Sequence, residues 1–509
     1  DTYKMAIPLF NSIASWFLKK RIHQIELFIK YPHEVQQEVL QDLLRVSEQT
    51  EIGLNYQFSS ITNYEVFKSR VPLVAYEDIA KDINRSRKGE ANIFWPTPIK
   101  WFAKSSGTTD SKSKFIPVSV EALEHCHYKA GKDMLSFYFN NNPESELFNG
   151  KNLRLGGSQE IYDNSTSYFG DLSAIIIDNM PFWAEISSTP SHKVSLMPEW
   201  EAKMDAILKE SINENVTSFA GVPSWMMVLF NKVLEQTEKK NILEVWPNLE
   251  VFFHGGVSFK PYKNQYSNFF PGSQLKYYET YNASEGFFGI QDQNNSDEML
   301  LMLDYGIFYE FIPVDGMDQD IVPLAGVSLY TNYALVITTN GGLWRYKLGD
   351  VIKFTSVAPY RIQVVGRTKH FINAFGEELM VENADFALSK AAQALGVHII
   401  DFTAAPIFMK GKTSGAHQWL VEFDSQPENM ERFTSLLDET LREVNSDYDA
   451  KRYKNLTMRL PEIVIAQPKL FYNWLSENKK LGGQHKVPRL SNNRDLMEEL
   501  LAFNAKKPL

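Results

Sequence analysis

A polar loop at residues 105–114 constrains this chain more than any other stretch. It reads Ser-Ser-Gly-Thr-Thr-Asp-Ser-Lys-Ser-Lys, so small hydroxylated side chains are crowded together with one glycine and two lysines. Such a loop can bring backbone N–H groups, hydroxyls and ammonium groups to one polyanion. The predicted ligand is therefore the phosphate group of a nucleotide. The spacing is not that of a Walker A motif, so the loop does not predict P-loop ATPase chemistry. A solvated serine- and threonine-rich turn is the alternative interpretation.

The composition indicates a large globular protein. The chain has 509 residues, of which 44% are hydrophobic and 13% aromatic, so it can bury a sizeable core in more than one domain. Its net charge of −10 argues against a nucleic-acid partner. No apolar run reaches the roughly 18 residues that a spanning helix needs, so we expect no stable membrane insertion. Residues Ile13–Lys30 predict a helix that packs on its own domain rather than on a membrane surface.

Cysteine usage fits a reducing compartment. Cys126 is the only cysteine, which excludes an internal disulfide and a multi-cysteine zinc site. We therefore expect a cytoplasmic protein. Because His125 and His127 flank it, Cys126 could be a thiol nucleophile, but a buried small hydrophobic residue is the commoner role of a lone cysteine.

After a helical N-terminal region, the chain alternates between strand and helix patterns. Residues 1–95 predict helices, and residues 96–365 predict an α/β body in which short, β-branched apolar runs form buried strands. The expected strands are Ala174–Ile177, Leu249–Phe253 and Leu335–Thr339, and the expected helices are Trp200–Asn213 and Ser224–Lys239.

The pattern changes near residue 365. Helices are expected at Glu377–Leu395 and Glu428–Asn445, the first of them ending at Gly396. Strands are expected at Gln418–Phe423 and Glu462–Ala466, and this alternation predicts a small α+β domain. We therefore expect an α/β fold with a large N-terminal domain of several subdomains over residues 1–366 and a smaller C-terminal domain over residues 367–509.

Two further motifs follow the polar loop. The first is Tyr281-Asn282-Ala283-Ser284-Glu285-Gly286, and the second is Tyr346-Lys347-Leu348-Gly349-Asp350, preceded by Trp344-Arg345. In this order the three motifs resemble those of the adenylate-forming superfamily of acyl-CoA synthetases, peptide-synthetase adenylation domains and luciferases.

A narrower resemblance covers about residues 100 to 490. Together with the three motifs, the chain carries Gly366-Arg367-Thr368, the run Phe371–Leu379, and Gly483-Gln484-His485-Lys486-Val487-Pro488-Arg489. With these it resembles the Gretchen Hagen family of acyl acid amido synthetases, known from plant auxin-responsive proteins. The resemblance implies the adenylate-forming fold, in which the small C-terminal domain is mobile about a hinge, here at Lys369. A solvated loop lysine is the alternative for that position.

The resemblance also implies a two-step reaction. A carboxylic acid attacks the α-phosphate of ATP to give an acyl-adenylate and pyrophosphate, and an amine, expected to be an amino acid, then displaces AMP. Because like charges must approach each other in the first step, catalysis would rest on positioning and on charge neutralisation, with Mg2+ as the expected cofactor.

Site residues follow from the matched motifs position by position. Lys486 is the expected catalytic lysine of the small domain, and Glu285 is the expected magnesium ligand. Residues expected to bind ATP and AMP are Ser105, Ser106, Gly107, Thr108, Thr109, Lys114, Gly255, Gly256, Tyr281, Ser284, Asp350 and Arg367. Val222, Trp225 and Met226 match the segment that lines the acyl side of such sites, although they could equally be core residues. The chain departs from the family at Asp110-Ser111, where the family often has a glycine for Ser111.

Three functions stay open on the residues alone. The first is an amido synthetase, the second an acyl-CoA ligase that forms a thioester, and the third a non-catalytic nucleotide-binding protein. The joint presence of Glu285, Asp350 and Lys486 argues against the third. No carrier-protein domain is evident after residue 490, and neither the acyl acid nor the amine can be inferred from the sequence.

Overall fold

A computed structural model describes most of the chain. The described residues are 20–106, 113–155, 162–163, 167–180, 184–185, 187–197, 200–257, 259, 262–272, 275–367, 371–478 and 487–505, and for 106, 113, 162–163, 200 and 367 the backbone alone is described. In chain order the strands are β1 (Trp101–Ser106), β2 (Ser113–Val118), β3 (Lys151–Arg154), β4 (Tyr162–Asp163), β5 (Tyr168–Gly170), β6 (Ser188–Thr189), β7 (Val216–Gly221), β8 (Val251–Gly255), β9 (Lys276–Ala283), β10 (Gly286–Ile290), β11 (Met299–Leu301), β12 (Ile307–Pro313), β13 (Val322–Pro323), β14 (Asn332–Thr339), β15 (Tyr346–Val357), β16 (Tyr360–Arg367), β17 (Phe371–Ile372), β18 (Leu379–Met380), β19 (Ile399–Ile407), β20 (Ala416–Phe423) and β21 (Glu462–Ile465).

Helices precede the first strand and then alternate with the strands. The longer ones cover 20–30, Pro32–Ser47, Tyr64–Arg70, Tyr76–Arg87, Tyr128–Asn141, Leu172–Asp178, Trp200–Ser211, Pro223–Thr237, Lys263–Phe269, Val381–Leu395, Met430–Val444, Ser446–Arg452, Leu470–Glu477 and Asp495–Asn504, with short helices at Glu51–Asn55, Val120–Ala122 and His192–Ser195. The predicted α/β class is therefore confirmed.

The helix over residues 20–30 packs on the protein itself. Ile25 and Phe28 are each 2% exposed and belong to the same hydrophobic cluster as Phe102 and Leu301. The described part of this segment is thus a core helix, as expected. Among the residues that the structure describes, no helix is long and apolar enough to cross a membrane.

A twelve-stranded sheet forms the centre of the N-terminal body. Its order is β13-β12-β14-β15-β16-β11-β10-β9-β8-β7-β3-β6. Strands β6, β3, β7, β8 and β9 are parallel, whereas β9 and β10 pair in antiparallel fashion. The pairing changes at β9, and the ends of β8 and β9 therefore meet the β9–β10 turn at one edge, where open α/β sheets commonly bind ligands.

Buried apolar runs explain the parallel half of the sheet. Phe219 of β7 and Phe252 of β8 are fully buried. They share a cluster with Met204 and Phe230, which lie on the helices before and after β7. The predicted strands at Leu249–Phe253 and Leu335–Thr339 and both predicted helices are confirmed within a few residues.

The strand predicted at Ala174–Ile177 is wrong, because these residues lie in the helix Leu172–Asp178. Ala174 and Ile175 are fully buried and Ile177 is 5% exposed, so nearly every side of this short helix meets protein. A short continuous apolar run has no periodicity with which to separate a buried helix from a buried strand.

The C-terminal part has the predicted α+β composition. Strands β19, β20 and β21 form a three-stranded sheet, and the helices Val381–Leu395 and Met430–Val444 cover it. The first helix ends as predicted at Gly396, which has a φ of +68°. Trp419 and Leu437 share a hydrophobic cluster with Phe219 and Trp246 of the body. The C-terminal part therefore lies against the parallel half of the large sheet.

Candidate active site

The polar loop connects two antiparallel strands. Ser105 and Ser106 end β1 and pair in register with Lys114 and Ser113 of β2. The ammonium group of Lys114 lies 5.7 Å from the centre of the Tyr76 ring, over the ring face. Gly107, Thr108, Thr109, Asp110 and Ser111 lie outside the described residues, as does the side chain of Ser106. The structure thus places the two ends of the loop side by side.

Ser284 and Glu285 form the two-residue turn of the β9–β10 hairpin, since Ala283 pairs with Gly286. The carboxylate of Glu285 lies close to Tyr346, the first residue of the third motif. Burial raises the pKa of the Tyr346 hydroxyl well above its usual value, and the charge of Glu285 raises it further. The predicted magnesium ligand therefore faces the strand that carries the predicted ribose ligand.

Tyr281 and Asp350 are joined by a direct hydrogen bond. The Tyr281 hydroxyl donates to Oδ2 of Asp350 over 2.7 Å, and each residue is only 7% exposed. The Tyr281 ring packs 4.9 Å from the ring of Phe288, centre to centre. Asp350 also pairs in register with Arg367 on β16. Three residues that were selected from separate motifs are therefore neighbours.

Gly255 and Gly256 are required by the geometry at the end of β8. A Cβ atom on Gly255 would lie 2.6 Å from the carbonyl oxygen of Thr280, a distance that no side chain tolerates. Gly256 has a φ of +81°, which favours glycine. Its carbonyl oxygen accepts a 3.1 Å hydrogen bond from Nδ2 of Asn373 in the C-terminal part. The tight turn therefore touches both parts of the chain.

A cavity of about 570 Å³ opens beside this turn. Val222 and Trp225 line it, as predicted for the acyl side, whereas Met226 is fully buried in the core and does not line it. The other lining residues come from β1, β5, β7 to β10, three helices and the ends of strands: Lys104, Met134, Leu155, Gly170, Asp171, Ser173, Ala220, Gly221, Phe253, His254, Gly255, Gly256, Thr280, Asn282, Phe287, Ser446, Asp447, Ala450 and Lys451.

Charged side chains surround one wall of the cavity. Asp171 lies within electrostatic reach of Lys451, Lys104 and Lys203, although burial still raises the pKa of its carboxyl group. Burial lowers the pKa of Lys203 to about 8, against the attraction of Asp171. Burial likewise lowers the pKa of Lys451. No sequence motif pointed to these residues, because a single lysine or aspartate on a helix or loop is usually solvated.

His254 contributes a neutral ring to the same cavity. It is 4% exposed and stacks on Phe259 with ring centres 4.5 Å apart. Burial lowers the pKa of its imidazole to about 3, so the ring carries no charge near neutral pH.

The run Phe371–Leu379 forms a tight loop around a buried carboxylate. Glu377 accepts hydrogen bonds from the backbone N–H groups of Ala374 and Phe375, and its Oε1 lies 2.7 Å from Nε2 of His417. Both Glu377 and His417 are fully buried. This loop carries Asn373, and its rigidity therefore supports the contact with Gly256.

Lys369 and Lys486 lie outside the described residues. The residues that follow Lys486 pack on the C-terminal sheet: the Pro488 carbonyl accepts a bond from Thr403, and Arg489 pairs with Asp385 at 2.6 Å. Val487, Pro488 and Arg489 are not among the residues that line the cavity.

Cys126 is a buried packing residue. It is 2% exposed, its sulfur accepts a bond from the Phe287 N–H over 3.2 Å, and burial raises the pKa of the thiol to about 12. These surroundings oppose the nucleophile interpretation, because the thiolate is the reactive form.

Family models cover most of the described chain. Residues 21–275 match the GH3 family N-terminal domain, residues 300–367 the GH3 family central domain, and residues 382–495 the GH3 family C-terminal domain.

Individual relatives are distant but extend over nearly the whole chain. An indole-3-acetic acid-amido synthetase, GH3.3 of Arabidopsis thaliana, is 23% identical over 94% of this chain and 93% of its own length. The jasmonoyl–L-amino acid synthetase JAR6 of Nicotiana attenuata is 24% identical over 92% of this chain and 93% of its own length. The 4-substituted benzoates-glutamate ligase GH3.12 of Arabidopsis thaliana is 23% identical over 89% of this chain and 92% of its own length.

Solved structures share the fold. The GH3.15 acyl acid amido synthetase superposes with a TM-score of 0.61 at 19% identity and covers 95% of both chains. A 2-hydroxyisobutyryl-CoA ligase superposes with a TM-score of 0.53 at 14% identity and covers 93% of both. The expected adenylate-forming architecture is therefore confirmed.

Proposed function

This chain belongs to the GH3 family, and we propose that it is an acyl acid amido synthetase. It activates a carboxylic acid with ATP to an acyl-adenylate and releases pyrophosphate. An amine, best explained as an amino acid, then attacks the acyl carbon and AMP leaves. Relatives that span nearly the same length are named as enzymes that join an acid to an amino acid, which supports an amide rather than a thioester product.

The observation that carries this proposal is the hydrogen bond between Tyr281 and Asp350, since Thr280 and Asn282 on either side of Tyr281 line the cavity. A carboxylate has two acceptor oxygens, so Asp350 suits the two hydroxyls of a ribose. Gly255 and Gly256 form a close-approach turn on the same edge of the sheet. Between them these groups suit an adenosine, with its phosphates directed toward the loop that follows Ser105.

The acyl group occupies the apolar part of the cavity in this proposal. Val222, Trp225, Met134 and Phe287 give that part a mainly apolar lining. The volume of about 570 Å³ suits a small acid held as its adenylate. An aromatic or aliphatic acid fits such walls better than a highly polar one.

Magnesium fits the chemistry of the residues present. Glu285 offers a carboxylate at the tip of a tight turn, and among the described residues no cluster of three or more ligating side chains forms a complete metal cage. Mg2+ is commonly held by one or two carboxylates together with substrate phosphates, and it would neutralise phosphate charge there. Lys114 and the hydroxyls of residues 105–109 would supply the remaining positive potential and hydrogen-bond donors.

The division of the chain into residues 1–366 and 367–509 belongs to the same proposal. Lys486 acts during adenylation as the lysine of the smaller domain, and that domain turns about Lys369 between the two steps. A cytoplasmic location is proposed because the single cysteine is buried and no disulfide can form within the chain.

A pyrophosphate-release screen tests the function directly. The full chain with ATP and Mg2+ is offered indole-3-acetate, jasmonate, 4-hydroxybenzoate and other acids, each with and without the common amino acids. We expect pyrophosphate with the right acid and an amide identified by mass spectrometry when the amino acid is present. Formation of a thioester with coenzyme A, and of no amide with any amine, would reassign the enzyme as an acyl-CoA ligase.

A further inference from the structure

One helix of the C-terminal part closes the cavity. The helix Ser446–Arg452 contributes Ser446, Asp447, Ala450 and Lys451 to the lining, opposite residues of the large sheet. In the part of the chain that the structure describes, Lys451 is the cation that the C-terminal part presents to this space. The C-terminal part therefore brings Lys451 to the site in the arrangement that the structure describes.

The side chain of Lys451 is held in a defined place. Its ammonium group lies 4.1 Å from the centre of the Trp225 ring. On the other side, a Cβ atom added to Gly376 would lie 3.2 Å from Cε and 3.5 Å from Nζ of Lys451. Gly376 has a φ of +90° and leaves room for this stem. The ammonium group is thus fixed between the acyl wall and the 371–379 loop.

The charges around Lys451 make a mixed wall. Lys104, Asp171, Asp447 and Lys451 all line the cavity, and Lys203 faces Asp171 from behind. Glu377 and Glu378 also attract Lys451, but Glu377 already accepts two backbone N–H bonds and contacts His417. A wall with two ammonium groups and two carboxylates complements a small molecule that carries both an amine and a carboxylate.

We propose that Lys451 binds the carboxylate of the acceptor amino acid during amide formation. This inference rests on the proposed function and assigns a specificity residue to its second step. The acyl acid has no free carboxylate at that stage, because its carboxylate is bonded to the phosphate of AMP. An ammonium group beside Trp225 therefore faces the acceptor and not the activated acid.

The chemical step needs no further reactant. The nitrogen of the acceptor forms a bond to the acyl carbon, the bond from that carbon to the phosphate oxygen breaks, and AMP leaves with the electron pair. The nitrogen loses its proton to solvent. Lys451 holds the neighbouring carboxylate throughout, so the amine is oriented toward the acyl carbon.

Matched acceptors isolate the role of the carboxylate. Amide formation by the full chain is followed by mass spectrometry with glycine, L-alanine and L-glutamate, and with glycinamide, L-alaninamide and the α-amide of L-glutamate. Lys451→Gln should raise the KM for the amino acids about 10- to 100-fold, the range expected for losing a charged hydrogen bond, and should not raise it for the amides. Pyrophosphate exchange checks that the variant is folded. Lys454→Gln is the control, since Lys454 lies three positions on and pairs with Glu201 at the surface.

Two outcomes would overturn the assignment. Either the KM values for amino acids and amides rise together in Lys451→Gln, or neither rises. If Lys451→Gln does not fold, Lys451→Met replaces it, since it removes the charge but keeps the length of the buried stem, and an unchanged ratio of the two KM values in that variant has the same meaning. A wild-type enzyme that makes no amide with any acceptor would instead reject the proposed function, so the two failures are distinct.

Discussion

The Tyr281 hydroxyl donates a 2.7 Å hydrogen bond to Asp350 across 69 positions of sequence. Each residue is 7% exposed, so the bond forms where little water competes. Tyr281 lies on β9 and Asp350 on β15, and three strands, β10, β11 and β16, lie between these two in the sheet order. The bond therefore fixes the second and third motifs relative to each other.

Removing Asp350 should weaken nucleotide binding. Charge-assisted hydrogen bonds to a ribose are worth about 1–3 kcal/mol, so Asp350→Ala should lose about that much ATP affinity by calorimetry. The Tyr281→Phe variant keeps the Asp350 carboxylate and should lose less ATP affinity than Asp350→Ala. Tyr277→Phe, the same change on the same strand, serves as the control. An ATP affinity that is unchanged in folded Asp350→Ala would remove the ribose role.

The sequence predicts an adenosine site because the residues of that site stand in ordered motifs. The register of Asp350 with Arg367 and the tight turn at Ser284-Glu285 agree with that order. The charged wall was not predictable, since Asp171, Lys203 and Lys451 come from three separate elements that only the fold assembles. A strand is predicted at Ala174–Ile177, where the chain forms a helix, for a related reason. A short run of apolar residues does not encode which elements pack around it, and those elements decide whether it is a strand or a helix.

Lys203 should make stability depend on alkaline pH. Its pKa is about 8 in the folded protein against a reference value of 10.5, and burial is the cause. Below about pH 8, Lys203 is protonated in both the folded and the unfolded chain. The buried charge then lowers the free energy of unfolding by its full amount. Between pH 8 and 10.5 the unfolded chain binds the proton and the folded chain does not, so this group adds stability as pH rises.

The variant Lys203→Met isolates this effect. It should be more stable than the wild type by about 3 kcal/mol below pH 8, and the difference should shrink toward zero near pH 10.5. Urea unfolding at several pH values measures the difference. Lys209→Met, an exposed site on the same helix, should show no such trend. A difference that does not vary with pH would contradict the buried-lysine explanation.

The Cys126 thiol should not react with alkylating reagents in the native protein. With a thiol pKa raised to about 12, the thiolate fraction near pH 8 is on the order of 10³-fold lower than for a thiol with the reference pKa of 9.0. Iodoacetamide should therefore modify Cys126 only after denaturation, as seen by intact-mass measurement. Cys126→Ala should retain pyrophosphate release. Loss of activity in a folded Cys126→Ala protein would reopen the nucleophile interpretation.

Arg345 should be a stability residue despite its place in the third motif. Its guanidinium binds both carboxylate oxygens of Glu310 at 2.8 Å, and the two side chains are 4% and 1% exposed. Removing one partner of such a buried pair leaves an uncompensated charge, so Arg345→Gln should cost about 3–5 kcal/mol of unfolding free energy. Arg442→Gln breaks the exposed pair with Asp449 and should cost under about 1 kcal/mol. Equal losses in the two variants would argue against this explanation.

Lys486 and Lys451 should act in different steps. The residues after Lys486 are bonded to Thr403 of the C-terminal sheet and to Asp385 of the helix Val381–Leu395. They do not line the cavity, whereas Lys451 does. The placement that the structure describes presents Lys451, and we expect Lys486 to reach the α-phosphate in a second placement, through domain motion. A lysine that meets the α-phosphate only in that second placement should matter little for ATP binding but much for the transition state.

The Lys486→Ala variant should thus bind ATP with nearly normal affinity. Its adenylation rate should fall roughly 10²–10³-fold, as expected for the loss of a group that stabilises transition-state charge. Amide formation from preformed acyl-adenylate should suffer less, because the phosphate is then an activated leaving group. Lys451→Gln should show the opposite order, with its larger loss in amide formation from amino acids. Rapid-quench measurement of each half-reaction separates the two. If Lys486→Ala slows both half-reactions equally, or neither, Lys486 is a surface or structural lysine, and the adenylation step must draw its cation from the described wall of the cavity instead.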